Sequence, residues 1–263
     1  MYIIGERLNS TRRAVKDALE NRNVDFLLQE TKKQLDRGAA AIDLNAATLM
    51  ESELEALKWA VPLLQEQFSA PISIDTPNKT AMEAGLKVHR GQAVLNSMTA
   101  ESSRIADLLP LVKTYRPITI ILCMDDAGLP QTPREELKIA SRMVELMERE
   151  GIDLEDIFLD PLVRPVGADP DSGRLFLDSL SLIKGQYPDI KTIAGLSNVS
   201  FGLPRRNLIN HTFLTLAMSH GLDGAILNPL DKDMISAVRT GEALLGLDPM
   251  LRKYLSYIRS EDR

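Results

Sequence analysis

A chain of 263 residues that is 44% hydrophobic can bury a large core, and α/β barrels routinely run ~200–250 residues as one domain, so one domain spanning 1–263 is expected. The net charge of −6, with acidic and basic residues mixed along the chain, offers no basic stripe for a phosphate backbone and argues against nucleic acid as a partner. Cys123 is the only cysteine, which excludes an internal disulfide and a thiolate metal cluster and points to the cytoplasm; the opening MYIIGERLNS lacks a secretory pattern, and no run approaches the ~18 apolar residues that span a membrane.

Short runs rich in Ile, Val and Leu recur along the chain, each closing on a polar or small residue and followed by a segment of helical period. They are YIIGE from Tyr2, AAIDLN to Asn45, PISID to Asp75, AVLNS to Ser97, ITIILCM to Met124, IFLDP to Pro161, TIAGLSN to Asn198 and GAILNP to Pro229. Near-continuous apolarity over such lengths suits strands buried on both faces, as parallel sheets require. Between them lie amphipathic stretches such as ESELEALKWAVPLLQEQF and PREELKIASRMVELMEREG, the second opening with Pro133 after a Thr132 N-cap, and LRKYLSYIRSEDR reads as a last helix and tail. Eight βα units predict a (β/α)8 TIM barrel, with an open doubly wound sheet as the alternative.

A barrel of this kind carries its site at the carboxyl ends of the strands. Read in order, those ends hold Glu6 and Asn9, Asp43 and Asn45, Asp75, Asn96, Asp125, Asp160, Asn198 and Asn228. Asp125 and Asn228 read as helix N-caps, and Asp43 stands open between a structural and a functional role. His89, His211 and His220 sit in or beside helices with no metal-ligand spacing, so no metal site is expected. Asp75, Asn96, Asp160 and Asn198 come from four separate strands and would reach one depth together, which favours a site.

Carboxylates and carboxamides without a nucleophile or base suit a flat, neutral ligand with N–H and C=O edges. A pterin has that shape. Its 2-amino group and N3–H form paired donors that Asp160 or Asp75 can accept, and Asn96 can serve the remaining edges.

The same residues carry a resemblance. IIGERLN, AAIDLNA, ISIDTPN, KTAMEAGLK, VLNSMTAE, IFLDPLVRP and GLSNVSFGLPRRNLINHTFLTLAM, in this order and spacing over essentially the whole chain, resemble the methyltetrahydrofolate and corrinoid-protein methyltransferases. A more distant resemblance is to the pterin-binding barrel of cobalamin-dependent methionine synthase. The family implies a pterin-binding barrel like that of dihydropteroate synthase, acting on tetrahydrofolate or 5-methyltetrahydrofolate in acetyl-CoA-pathway or O-demethylating systems. It implies that Asp75, Asn96 and Asp160 hold the pterin, that Asn198 approaches the methyl-bearing N5, that Ser197 and Arg206 contact the folate, and that the chain is a homodimer. Two departures stand out: LNAAT after the second strand, where relatives often carry glycine, and Phe201 at a position expected to be polar.

Breaking the bond from N5 to methyl expels a poor leaving group, so the expectation is that the Asn198 amide donates to N5 more strongly as the methyl departs. No titratable side chain is evident beside it in the sequence, which leaves the proton to solvent or a water-linked carboxylate. The second substrate is the cobalt of a corrinoid (cobalamin). The DxHxxG signature of a corrinoid carrier does not occur, and His220 in MSHGLDG lacks the aspartate two places before it, so the corrinoid is expected on a partner protein. Two other classes compete. Dihydropteroate synthase places a lysine or arginine in its seventh-strand segment, where this chain has GLSNVS, and a non-catalytic folate-binding module would have no need of Asn198.

Overall fold

Inward-facing polar side chains come to lie at one end of the fold because of how the strands alternate and close. The computed structural model describes residues 1–261. The strands are β1 (Tyr2–Asn9), β2 (Ala41–Asn45), β3 (Ile72–Asp75), β4 (Val94–Thr99), β5 (Ile118–Leu122), β6 (Ile157–Asp160), β7 (Lys191–Gly195) and β8 (Gly224–Leu227). Each pairs in parallel with the next, and β8 returns to β1 from Tyr2↔Gly224 to Gly5↔Leu227. That closure makes the sheet a barrel and removes the open doubly wound alternative.

Helices cover the outside: α1 (Arg13–Glu20) and α2 (Val24–Asp36) after β1, α3 (Glu53–Gln67), α4 (Lys79–Val88), α5 (Ser102–Tyr115), α6 (Pro133–Arg149), α7 (Ser172–Gln186), α8 (Arg206–Ser219) and α9 (Lys232–Leu244), with α10 (Arg252–Glu261) closing the chain. Thr132 and Glu135 form a reciprocal capping box with Pro133 in the first turn of α6, as the sequence predicts. Asp125 and Asn228 are not caps. Asp125 accepts from the Ala127 N–H and pairs with Arg142, and Asn228 accepts from the Leu230 N–H. The caps fall to Thr132 and Asp231, because the loops run several residues further before their helices begin. The histidines join secondary structure: His89 Nε2 accepts from the Ile72 N–H, His211 Nε2 lies 2.9 Å from Asp231, and His220 Nδ1 lies 2.8 Å from the Leu216 carbonyl.

Four strands end earlier than the runs read from the sequence: β5 at Leu122, β6 at Asp160, β8 at Leu227, and β7 at Gly195, where Leu196–Ser200 tightens into a 3₁₀ turn. Side chains alternate along a strand with period two. Ile4, Ala41, Val94, Ile120, Phe158 and Ile193 meet inside the barrel as an apolar plug. Two residues further along the same six strands stand Glu6, Asp43, Asn96, Leu122, Asp160 and Gly195. The plug therefore carries a layer of three carboxyls and one carboxamide, to which β3 adds Ser73 and Asp75.

Candidate active site

The layer begins with register. Asn45, Asp75 and Asn96 are successive Cα partners across β2, β3 and β4, so three polar side chains stand side by side. Beneath them, buried Asp43 pairs in register with Ser73. The Ser73 hydroxyl donates to Asp43 Oδ1 at 2.7 Å, and Asn96 Nδ2 donates to the same oxygen at 3.0 Å. Asn45 Nδ2 donates to Asp75 Oδ2 at 2.8 Å while its own carbonyl accepts from the Ala47 N–H, which fixes the amide's orientation. Asn96, with its amino group committed, is left with Oδ1 for a ligand donor.

Burial, and then the Asp75 charge beside it, push Asp43 well above the usual carboxylate range. Burial also raises Asp75, against the pull of the Asn45 amide. Two carboxyls in contact at low dielectric hold one proton between them. The deeper Asp43 keeps it and donates to Asp75, which leaves Asp75 as the anion at the mouth. Asp43→Ala should leave the Ser73 hydroxyl and an Asn96 N–H unpaired in the interior, at about 1–3 kcal/mol each, whereas Asp43→Asn should retain most of the stability. Thermal unfolding of the two variants checks this, and equal losses would remove the proton-sharing pair.

Across the mouth, Asp160 Oδ1 accepts from the Leu162 N–H at 2.8 Å. Leu162 sits at φ 61°, in the left-handed region, so the DPLV turn holds strain at this point of the site. β6 and β7 pair only through Phe158↔Lys191 and Leu159↔Thr192, and beyond them the Gly195 N–H turns to the Asp160 carboxylate. Burial raises Asp160 to about 7 despite both of these donors. A β-carbon on Gly195 would come within 3.1 Å of Asn198 Nδ2, so the missing side chain is what lets the Asn198 amide lie there. Asn198 is exposed, caps no helix, and its side chain makes no hydrogen bond to the described residues. The fold thus links Asn198 through Gly195 to a titratable group that sequence alone does not reveal, the Asp160 carboxyl.

Ser197 and Arg206 stand a step aside, on the wall of a cleft of about 220 Å³ shared with Glu6, Asn210 and Asn228. The Ser197 hydroxyl donates to Glu6 at 2.9 Å, and burial raises Glu6 against that bond and the nearby Arg206 charge. Arg206 donates through Nε to Ser200 Oγ and through Nη2 to the Ser197 carbonyl, bracing the 3₁₀ turn that carries Asn198. The arrangement is a floor of hydrogen-bonded carboxyls and amides, with the Asn198 amide uncommitted at its rim.

Comparison with known proteins agrees with this geometry. The family described as pterin binding enzyme matches residues 5–228. A methylcorrinoid:tetrahydrofolate methyltransferase of Eubacterium limosum is 36% identical over 98% of this chain and 96% of its own length. A methionine synthase of Mycobacterium tuberculosis is 27% identical over 87% of this chain, which spans only 20% of that longer protein. Among solved structures, dihydropteroate synthase of Xanthomonas albilineans superposes with a TM-score of 0.73 at 19% identity over 93% of both chains, and 7,8-dihydropteroate synthase of Vibrio fischeri with 0.72 at 21% over 94% of both, likenesses that show the fold. The chain belongs to the pterin-binding enzymes and, among them, to the methyltetrahydrofolate and corrinoid-protein methyltransferases.

Proposed function

We propose that the protein moves a methyl group between N5 of tetrahydrofolate and the cobalt of a corrinoid presented by a separate carrier protein. The observation that supports this reading is that Gly195 turns its N–H to the Asp160 carboxylate and leaves room above its α-carbon for the free Asn198 amide. One edge of a pterin runs 2-amino, N3–H, 4-oxo, N5. A carboxylate and an amide donor set one residue apart can read the two ends of that edge, with Asp160 accepting the paired N–H groups and Asn198 donating to N5. Asp75 and Asn96 serve the opposite side of the ring, and Arg206 and Ser197 line the way out for the rest of the folate.

In the direction away from folate, charge builds on N5 as methyl passes to cobalt(I), and the Asn198 N–H bond strengthens with it. The proton that N5 finally takes comes from water. The reverse direction uses the same contacts. The relative from Eubacterium limosum is named for transfer from methylcorrinoid to tetrahydrofolate, and O-demethylation or acetyl-CoA synthesis is the setting we propose, in the cytoplasm. No helix among the described residues is long and apolar enough to cross a membrane.

Mixing the protein anaerobically with methylcobalt(III) corrinoid and tetrahydrofolate should release cobalt(I), read by its absorbance, and methyltetrahydrofolate with cobalt(I) should reverse it. Folate binding without transfer in either direction would reduce the protein to a binding module. Condensation of a pterin with aminobenzoate would make it a dihydropteroate synthase. The purified chain should be colourless, since the corrinoid belongs to the carrier.

The rim suits a docking carrier. Phe201 is 67% exposed after β7, and Met50, Leu129 and Leu208 stand exposed after β2, after β5 and in the first turn of α8. The departure of Phe201 from a polar residue is then an anchor for protein contact. Phe201→Glu should lower transfer to carrier-bound corrinoid at least about tenfold more than transfer to free corrinoid, in line with the ≥ 2 kcal/mol of an aromatic hot spot. Equal effects on the two acceptors would remove Phe201 from the dock.

A further inference from the structure

The buried face of α6 is made by residues 136, 139, 140, 143, 144 and 147, the spacing of an amphipathic helix. Ile139, Ala140, Met143, Val144 and Met147 are apolar. Glu136 is not, yet it is fully buried where an apolar residue would continue the stripe. Neither of its carboxyl oxygens has a hydrogen-bond partner among the described residues, and the same holds for Ser179 Oγ on α7 and Arg164 Nη2 in the loop from β6 to α7. The large majority of buried side-chain polar atoms are paired, so orphans gathered in one place call for a reason other than packing.

They are gathered. Burial pushes Glu136 up to about 8, against the pull of the Ser179 hydroxyl and the Arg164 charge, and the Asp160 charge adds to the rise. The hydroxyl thus lies near the carboxyl without meeting it in hydrogen-bond geometry. Cys123 lies close as well: burial and then the Glu136 and Asp160 carboxylates raise its thiol, and its N–H donates to the Asp160 carbonyl at 2.9 Å. Glu136 is mostly a neutral acid at pH 7, even in the first turn of a helix, where an anion is favoured. A neutral carboxyl has an O–H to give and a carbonyl to accept, Arg164 Nη2 has N–H to give, and Ser179 can do either. One internal water among the three side chains satisfies them, with the number of bonds usual for a buried water.

Arg164 stands on a loop that joins the two halves of the site. Before it, Asp160 accepts from the Leu162 N–H; after it, the Val166 N–H donates at 3.0 Å to the carbonyl of Val199, in the 3₁₀ turn that carries Asn198. The Arg164 carbonyl accepts from the Ser172 hydroxyl at 3.1 Å, which ties the loop to the first turn of α7. We propose that Glu136 is a positioning residue for methyl transfer: through an internal water shared with Ser179 it holds the Arg164 guanidinium, and so fixes the loop that ties Asp160 to the turn of Asn198. Asp160 is also held by its own strand and by the Gly195 N–H, whereas the Asn198 side chain makes no hydrogen bond to the described residues. Loosening the loop therefore harms the approach to N5 more than the grip on the pterin. The role in transfer rests on the proposed function; the anchoring of the loop does not.

Glu136→Gln keeps a donor and an acceptor at the site, and Glu136→Leu removes both at nearly the same volume. Hydrogen exchange of the full chain, read by mass spectrometry, should speed up at least about tenfold in residues 161–171 of Glu136→Leu and stay at the wild-type rate in Glu136→Gln. Single-turnover transfer at saturating methyltetrahydrofolate should fall at least about tenfold in Glu136→Leu with folate affinity within about threefold, and should stay within about threefold in Glu136→Gln. A folded Glu136→Leu with the wild-type transfer rate, one with wild-type exchange in that segment, or a Glu136→Gln that loses as much as Glu136→Leu overturns the proposal. Should Glu136→Leu not fold, Ser179→Ala, which removes one wall of the water site, should speed exchange in the same segment and slow transfer about threefold, and no change in either overturns it. A wild type that transfers no methyl sinks the proposed function and with it the role in transfer, while faster exchange in Glu136→Leu would still uphold the anchor.

Discussion

Asn198→Ala should slow single-turnover methyl transfer at least a hundredfold while changing folate affinity less than about threefold. The amide has no protein partner to lose, so the substitution leaves the floor of Asp75, Asn96 and Asp160 as it stands. What disappears is a donor whose value rises as charge gathers on N5. Bound folate and a docked corrinoid would cover this exposed amide, and loss of such a donor from a water-excluded site costs roughly 2.7–4 kcal/mol of barrier. An interaction stronger in the transition state than in the ground state shows in the rate and not in the binding constant. Gly195→Ala is the companion. Its β-carbon would meet Asn198 Nδ2 at 3.1 Å and push the amide by a few tenths of an ångström, so the loss should follow the same pattern at smaller size. The measurement is stopped-flow transfer to cobalt(I) at saturating methyltetrahydrofolate, with affinity determined by titration. A variant that binds poorly yet transfers at the wild-type rate once saturated would make Asn198 a ground-state contact and sink the mechanism.

How much of this was readable without coordinates follows from what each feature depends on. The eight strands announce themselves through local apolarity, and the inward polar layer through period two: Ile4 and Glu6, Val94 and Asn96, Phe158 and Asp160 are each two apart on one face. Asp43 obeys the same rule, two after Ala41 and two before Asn45, and that spacing alone could have placed it inside the barrel. Its proton shared with Asp75 was not readable, because it depends on the register that seats Ser73 beside Asp43 and Asn45 beside Asp75. Gly195 was also hidden. A glycine in an apolar run looks like a weak strand residue, and its purpose appears only when Asn198 folds back over it.

The reach of the motif has a limit of the same kind. The resemblance implies that Ser197 and Arg206 contact folate, and the structure brings both to the mouth, yet the serine hydroxyl is taken by Glu6 and two arginine donors by the turn. A motif tells which groups are present; only the pairing shows which still have a bond to give. By that measure the Asn198 amide still has its bonds to give, while Arg206 has two of its donors engaged.

Asp160→Asn should separate stability from binding. Burial raises the Asp160 carboxyl to about 7, from near 4 in an unfolded chain. Its folded form therefore binds the proton more tightly, and the stability it contributes is complete below pH ~4 and lost as pH rises towards 7. About three pH units at ~1.4 kcal/mol each put that loss near 4 kcal/mol at pH 8, as an order of magnitude. Asparagine never ionises and can still accept from the Leu162 and Gly195 N–H groups, so the unliganded variant should melt several degrees higher than wild type at pH 8 and about equally at pH 4.5. Folate affinity should move the other way. The paired pterin donors want the carboxylate, so the wild-type dissociation constant should rise about tenfold from pH 8 to pH 6 as Asp160 takes up its proton. The asparagine variant should bind at least tenfold more weakly at pH 8, from the loss of a charge-assisted pair worth ~1.5–3 kcal/mol, and should show little slope. A variant that keeps the full pH slope would hand the titration to the Asp43–Asp75 pair, and one no more stable than wild type at pH 8 would mean that the carboxylate is held ionised without strain.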